Sequence, residues 1–276
     1  MKPSYPTPPR DGYLPLNHKD LRGGIWRRLM IGSDGPPDSG KSEFALSAPG
    51  PIKWLCLDRG LDGLIDNPNP PTTRNSQVRA KVVQVPKATQ MAQPGYVEYW
   101  REFYSEYKQA LDDEQIRCLV LDGDSDSWEL QRLAEFGRLS KVPSNLYDNV
   151  NAARRAMYAR AWDSGKIMIA TNRIRKVYAT EYDALGKPKM NNSGNEVRSW
   201  TGEFERQGFS DQEYLWHIQL RHMHRDTKAG PEWGIKIMKC KVDISLVGLE
   251  LWGDDCNFTS LVTAVYPDVP LREWGF

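Results

Sequence analysis

The sequence lacks long apolar runs, closely spaced cysteines and a leader-like N-terminus. No apolar stretch approaches the roughly 18 residues that a membrane-spanning helix needs. The first residues have neither an apolar segment nor a cleavage site of the secretory type. The four cysteines lie far apart, without CxxC spacing. These absences argue against a membrane-bound or disulfide-stabilised protein, and we expect reduced thiols, a cytoplasmic location and no membrane partner.

The sequence also has little net charge, since 37 Lys and Arg balance 36 Asp and Glu to give +1. It therefore lacks the excess of positive charge that a purely electrostatic nucleic-acid binder carries. The balance hides opposed segments, because 166–198 and 221–241 each carry +4, whereas 111–129 carries −6 and 249–276 carries −4. Local basic surfaces thus remain possible in a chain that is neutral as a whole.

The 276 residues, with 39% hydrophobic and 26% charged side chains, predict one sizeable α/β domain with appendages. The proline-rich segment 1–25 predicts a flexible arm. In 26–251 apolar strands alternate with helices, which predicts a mostly parallel sheet with helices on both faces. Period-two alternation in 215–251 predicts antiparallel strands, turn signals in 177–200 predict a basic hairpin or loop, and 252–276 is predicted to be an acidic tail.

One motif indicates specific chemistry. A predicted strand that ends near Gly32 is followed by the pattern G-x-x-x-x-G-K-S and then by a helix start, which is the context of a phosphate-binding P-loop. In such a loop the backbone N–H groups and the positive end of the helix face the phosphates. The lysine is expected to reach the β- and γ-phosphates of a nucleotide, and the serine to hold Mg²⁺; the alternative is an ordinary glycine turn. The pattern comprises Gly35, Pro36, Pro37, Asp38, Ser39, Gly40, Lys41 and Ser42.

A second signature lies about 80 residues further on. The segment Cys118–Asp122 has four apolar residues and then a carboxylate, as in a Walker B strand whose acid binds Mg²⁺, although any buried strand that ends in Asp looks the same. The acids that follow do not fit a calcium loop, because Ser127 stands where Gly is needed and Leu133 where the bidentate Glu is needed. Asp124 and Asp126 are expected to orient water or to cap the next helix.

The next apolar strand ends in Thr171-Asn172, which would lie beside Asp122 if the two strands are neighbours. A polar side chain there is placed to sense the γ-phosphate; a plain strand end is the alternative. The three cations that follow, Arg173, Arg175 and Lys176, are candidates for a finger that completes a neighbouring subunit's site, or else a solvated charge run. Zinc is not indicated, since the histidines at 217, 222 and 224 and Cys240 lack the spacing of a ligand set.

The order of these motifs resembles that of RecA-like P-loop ATPases, and within them phage-type proteins with a RecA core that act in single-strand annealing and recombination. The resemblance covers roughly Trp26 to Leu251, and the P-loop is its specific part. It implies that the protein binds ATP and Mg²⁺ between protomers, hydrolyses ATP, assembles into a ring or filament and holds single-stranded DNA on central loops, in the host cytoplasm if it is phage-encoded. The nucleotide-site residues that it implies are Lys41, Ser42, Asp122 and Asn172.

Two positions depart from that family's pattern. Asp38 stands where relatives commonly have Gly, and its charge faces the phosphates. Relatives also place a water-activating Glu just after the second strand, where this chain has Asp58-Arg59-Gly60-Leu61-Asp62. Asp58 or Asp62 would have to take that catalytic role, and ATP binding is better supported than hydrolysis.

Single-stranded DNA is expected to bind a basic hairpin on which cations follow the phosphates and an aromatic ring stacks on a base. The residues proposed for this are Lys187, Lys189, Arg198 and Trp200; a solvated loop is the alternative. Two other functions stay open at this point, a phosphotransferase acting on a small molecule and a nucleotide-binding protein acting on a protein partner.

Overall fold

The computed structural model describes residues 27–57, 61, 64, 77–83, 93–138, 146–228 and 230–276. The predicted flexible N-terminal segment 1–25, together with Asp58 and Asp62, lies outside these residues. The strands are β1 (Leu29–Gly35), β2 (Ile52–Cys56), β3 (Val78–Val82), β4 (Cys118–Asp122), β5 (Ile167–Thr180), β6 (Arg198–Arg206), β7 (Ile218–Thr227), β8 (Gly230–Cys240) and β9 (Glu250–Trp252). The helices are α1 (Lys41–Leu46), α2 (Gln93–Asp112), α3 (Asp124–Phe136), α4 (Tyr147–Asp163), α5 (Gln212–Leu215) and α6 (Phe258–Val265).

The strands form one nine-stranded sheet in the order β3-β2-β4-β5-β1-β7-β8-β9, with β6 paired to β5. The six strands from β3 to β7 in that order run parallel, whereas β8 and β9 are antiparallel to their neighbours. This confirms the predicted α/β class with a parallel sheet and an antiparallel C-terminal part. The strand β5 lies between β1 and β4, so the ends of all three meet at one edge of the sheet.

The sheet is covered on both faces, as the continuous apolar strands require. Every residue of β4 is buried, and its side chains alternate between two cores. One core packs the sheet against α1 and α6, and the other packs it against α2, α3 and α4. The aromatic residues of α2 belong to the second core, where Tyr96, Phe103 and Tyr107 are fully buried. Among the described residues no helix is both long and apolar enough to cross a membrane.

The segment 252–276 is not an acidic tail, and that prediction was wrong. Helix α6 buries Phe258, Leu261, Val262 and Val265 in the core beside α1, and Trp274 is buried there too. The backbone N–H of Phe258 also donates to Ser47 Oγ at 2.8 Å. The negative net charge of the segment concealed an apolar face at helical spacing, and that face determines where the segment packs.

One part of the sheet extends beyond the strands that the helices cover. Strand β5 is buried up to Asn172 and then continues as an exposed strand, which pairs in antiparallel fashion with β6 alone. The connection from 181 to 197 contains the isolated bridges Tyr182–Pro188 and Met190–Glu196. We call residues 174–206 the arm. The predicted hairpin at 177–200 lies within it.

Candidate nucleotide site

The loop between β1 and α1 has the backbone that its sequence predicts. Gly40 is left-handed with φ 84°, and Asp38 has φ 58°, the one non-glycine residue with positive φ among the described residues. Gly35 is needed for space, because a Cβ there would lie 2.6 Å from Ser39 Oγ and 2.8 Å from His222 Cβ. The left-handed conformation of Asp38 explains why glycine suits that position, and Asp is among the side chains that tolerate it best.

The ammonium group of Lys41 lies inside this loop. Its Nζ donates to the carbonyl oxygens of Gly35 at 3.1 Å and Pro36 at 2.6 Å, and contacts Ser39 Oγ at 3.4 Å. In a P-loop the lysine contacts the phosphates of the bound nucleotide, and for Lys41 that role stays a prediction.

Three separate segments meet at the end of β4. Asp122 is buried, and its carboxylate accepts hydrogen bonds from Ser42 Oγ at 3.1 and 3.2 Å and from Thr171 Oγ1 at 2.7 Å. Thr171 Oγ1 in turn accepts the backbone N–H of Gly123 at 2.8 Å. The P-loop serine, the predicted Walker B acid and the next strand are therefore joined directly.

This donor set fits Mg²⁺. A hydroxyl and a carboxylate are hard oxygen ligands, and two adjacent ligands of an octahedral ion with bonds of about 2.1 Å lie about 3 Å apart. The separation of Ser42 Oγ from the Asp122 carboxylate matches that spacing. Ser42 and Asp122 are thus the residues that would hold the ion, directly or through water.

Asn172 lies on the other face of the sheet from Thr171, because successive side chains of a strand alternate. Its amide contacts Ser125 Oγ at 3.4 Å and the Ala170 carbonyl at 3.3 Å. In this structure Thr171, not Asn172, reaches Asp122. Alternation along the strand puts the two side chains on opposite faces, and the register of the strand decides which of them faces Asp122. A role for Asn172 in catalysis stays a prediction.

The two acids after Asp122 differ in their surroundings. Asp124 is completely buried and accepts hydrogen bonds from Arg154 at 2.5 Å, Tyr158 at 2.7 Å and Gln212 at 2.6 Å. These contacts tie α3 to α4 and α5, so the carboxylate serves packing instead of orienting water. Asp126 instead faces Arg173 at 3.0 Å.

The three candidate finger cations are exposed at the start of the arm. Arg173 pairs with Asp126, Arg175 with Glu205 at 2.6 Å, and Lys176 Nζ lies 4.8 Å from the centre of the Trp200 ring. The two arginines also line a cavity of about 340 Å³ between the start of α3 and the arm. Their side chains are positioned by intrachain partners, and a role in a neighbouring subunit stays a prediction.

The four predicted DNA-binding residues all lie on the arm but in different settings. Trp200 is 46% exposed, and Arg198 Nη2 donates to the Tyr178 carbonyl at 2.7 Å. Lys187 and Lys189 are in the turn-rich connection, where Lys189 pairs with Glu181 at 3.0 Å. The structure brings Arg198 and Trp200 together on β6 and leaves the two lysines nearer the tip.

Residues that the sequence did not single out for this site also contact the P-loop. His222 on β7 is buried behind the loop, with Nε2 2.7 Å from Ser33 Oγ. Burial, with a smaller contribution from the nearby Lys41 ammonium, lowers the pKa of His222 to about 3, so the imidazole is neutral. The indole N–H of Trp233 on β8 donates to the Asp38 carbonyl at 2.9 Å. The alternation of His222 with buried Leu220 is a sequence signal for an inward side chain, whereas nothing in the sequence pairs Trp233 with the loop.

The other candidate metal ligands are dispersed. His217 Nδ1 accepts the Met30 backbone N–H at 3.0 Å, and His224 is exposed. Among the residues that the structure describes, no three His, Cys, Asp or Glu side chains are grouped as a metal site.

Comparison with known proteins finds matches among solved structures. No protein-family model matches the chain, and no curated protein matches it. Among solved structures, the crystal structure of the RadB recombinase resembles it with a TM-score of 0.42 and 12% sequence identity, over 83% of this chain and 88% of that chain. A likeness at this level does not assign a function, which has to follow from the site itself.

Proposed function

We propose that this protein is a RecA-like P-loop ATPase that binds MgATP and single-stranded DNA and acts in annealing or recombination, as the phage-type proteins that its motif order resembles do. The observation that carries the nucleotide part is the junction of Ser42, Asp122 and Thr171. These residues are separated by 80 and 49 positions in the sequence, yet their side chains are within hydrogen-bond distance beside the P-loop. The site offers a cation for phosphates and two hard oxygen ligands for Mg²⁺.

The arm supports the DNA part of the proposal. In an antiparallel pair, opposed residues share a face, and Lys176–Phe204 and Tyr178–Trp200 are such pairs. The rings of Trp200 and Phe204 lie 5.6 Å apart, and Lys176 lies over Trp200. Tyr178, Trp200 and Phe204 are each between 42% and 46% exposed. We call this surface the aromatic face.

The opposite face of the arm has a different chemistry. It carries the Arg175–Glu205 ion pair and the hydrogen bond from Ser199 to Glu181. On that face Arg175 is paired with Glu205 and Glu181 with Lys189, whereas the aromatic face offers three rings and the cations Lys176 and Arg198. Single-stranded nucleic acid, with bases that stack and phosphates that attract cations, is the partner that complements the aromatic face.

The nucleotide part is tested by Lys41→Ala, with Lys108→Ala on α2 as the control. Loss of a charge-assisted phosphate contact of about 1.5–3 kcal/mol is expected to weaken MgATP binding at least about tenfold. Isothermal titration with MgATP measures the change, and the control should bind as the parent does. Unchanged affinity in Lys41→Ala would show that the nucleotide site is elsewhere.

The DNA part is tested by Trp200→Ala, with Tyr214→Ala, which removes an exposed ring on α5, as the control. A stacked base contributes about 1–3 kcal/mol, so the affinity for a labelled oligo(dT), measured by fluorescence anisotropy with MgATP, should fall about fivefold or more. Duplex DNA of the same length should lose less, since its bases are already stacked. Equal binding of oligo(dT) by the parent and Trp200→Ala would contradict DNA binding on this face. ATP turnover that responds to a small acceptor and not to oligo(dT) would favour the phosphotransferase.

A further inference from the structure

One peptide of the P-loop is held by a side chain from β8. The carbonyls of Gly35 and Pro36 accept hydrogen bonds from Lys41 Nζ. The carbonyl of Asp38 points instead towards β8, where it accepts the indole N–H of Trp233 at 2.9 Å. Since Asp38 is a non-glycine residue in the left-handed region, this is also the conformation in the loop that costs most to maintain.

The orientation of this peptide matters for an anion. A trans peptide is planar, and its C=O and N–H point in opposite directions. When Trp233 fixes the Asp38 carbonyl on the β8 side, the N–H of Ser39 is directed away from β8. If the same peptide rotates, a carbonyl dipole replaces an N–H donor in the loop, and carbonyl oxygens repel phosphate. The indole therefore selects the peptide orientation that an anion-binding loop requires.

Trp233 also contacts the loop through its ring. A Cβ on Gly40 would lie 3.3 Å from Trp233 Cδ1, so the ring lies against the backbone at 40. The side chain is 44% exposed. Burial of the ring therefore does not by itself explain its position, whereas the hydrogen bond and the contact with Gly40 do.

We infer that Trp233 is a positioning residue of the nucleotide site, which sets the Asp38–Ser39 peptide for phosphate binding and makes Asp38 acceptable where the resemblance implies glycine. The inference rests on the proposed function. It adds that the antiparallel β7–β8 pair shapes the P-loop from outside the motif, so that the affinity for MgATP depends on a residue 195 positions away from Asp38 in the sequence.

The first test is Trp233→Phe, which keeps an aromatic ring and removes the N–H donor. Its control is Trp252→Phe on β9, because Trp252 packs against the neighbouring Gly234 and donates to Glu250, without a contact to the loop. A neutral hydrogen bond accounts for roughly a three- to tenfold change in an equilibrium constant. MgATP affinity of Trp233→Phe should fall by that factor, and that of Trp252→Phe should not, while both variants unfold at the parent's temperature.

The second test separates positioning from general packing. In an Asp38→Gly background the left-handed backbone costs nothing, so the loop keeps its binding conformation without the indole N–H. Trp233→Phe should then change MgATP affinity less than about twofold, and a double-mutant cycle should show coupling between 38 and 233.

Two results would overturn the inference even where Lys41→Ala weakens MgATP binding as expected. One is parent-like MgATP affinity in Trp233→Phe, and the other is an equal loss in both backgrounds. A Lys41→Ala variant that binds MgATP normally would instead contradict the proposed function itself.

Discussion

At the scale of single residues, the site depends on where charge is placed and where it is avoided. The P-loop interior contains the ammonium of Lys41, and directly behind it lies His222, whose imidazole is buried and neutral. A protonated His222 would be a second buried cation beside Lys41, without an acid as partner among the contacts of its ring. Burial and the ammonium both disfavour that state. The low pKa of His222 therefore preserves a single positive centre in the loop.

This arrangement predicts a pH dependence of stability. The pKa of His222 is lowered from 6.5 to about 3 in the folded chain. Between these values only the unfolded chain binds the proton, so stability is lost as pH falls below about 6.5. For His222 alone the loss from pH 7 to pH 5 is about 2 kcal/mol. His222→Gln, which keeps a polar group near Ser33, should lose correspondingly less.

Urea unfolding at pH 7 and pH 5 measures this difference. The matched control is His224→Gln, since His224 lies on the same strand and is exposed. It should follow the parent's pH dependence. If His222→Gln and the parent lose the same stability over this interval, the imidazole is not a source of the pH dependence.

At the scale of elements, two helices owe their position to interactions that charge counting does not reveal. Helix α3 is joined to α4 by the buried Asp124–Arg154 pair, which is completed by Tyr158. Loss of one partner of such a pair leaves a buried charge and costs several kcal/mol. In the sequence Asp124 is one of several acids after a strand, and only the contact with a helix 30 residues later distinguishes it from Asp126.

Helix α6 provides the stability prediction at this scale. Leu261→Ala removes a completely buried side chain from the core beside α1 and is expected to cost about 2–5 kcal/mol. Thr263→Ala, an exposed position of the same helix, is expected to change stability by less than about 0.5 kcal/mol. Chemical unfolding measures both. Equal stability of Leu261→Ala and the parent would mean that 252–276 is a dispensable tail after all.

The elements also show how far the sequence leads. Apolar runs that end in polar residues were enough to predict β1, β4 and β5, because such runs are typical of parallel strands buried on both faces. The G-x-x-x-x-G-K-S pattern then predicted the P-loop between β1 and α1. Patterns within one segment do not reveal which segment packs beside it. The contact of Trp233 with Asp38 and the placement of α6 therefore had to come from the structure, and the division between Thr171 and Asn172 depends on a register that periodicity alone leaves open.

At the scale of the whole molecule, the near-zero net charge is distributed over surfaces with different chemistry. The aromatic face of the arm carries exposed cations and rings, while Asp122 is buried where the ends of β1, β4 and β5 meet. A two-stranded ribbon exposed on both faces has few contacts to stabilise it alone in water. Binding of DNA would order the arm, whose first residues continue the strand that contacts Asp122. Nucleotide and DNA would then bias the same strand, β5, which is a physical route for coupling between them.

The remaining prediction concerns assembly. From the resemblance we expect MgATP and single-stranded DNA to assemble the chains into a ring or filament, and light scattering should then show masses of several chains. Contacts of that kind are heterologous, so a P-loop from one subunit meets finger residues of the next. Arg173, Arg175 and Lys176 are therefore changed to Ala one at a time. The residue that acts in trans should lose ATP turnover when changed, while MgATP binding stays close to the parent's.

Mixing then decides whether that residue acts in trans. In an equal mixture of the inactive finger variant with Lys41→Ala, an intact P-loop meets an intact finger at about one interface in four, so about a quarter of parental turnover should return. A mixture of Lys41→Ala with the parent gives the reference for dilution of active sites. A mass that stays monomeric with both ligands present, or a mixture of the two inactive variants that restores no turnover, would place the complete site within one chain. Arg173 and Arg175 would then form only the ion pairs with Asp126 and Glu205 that they form within one chain.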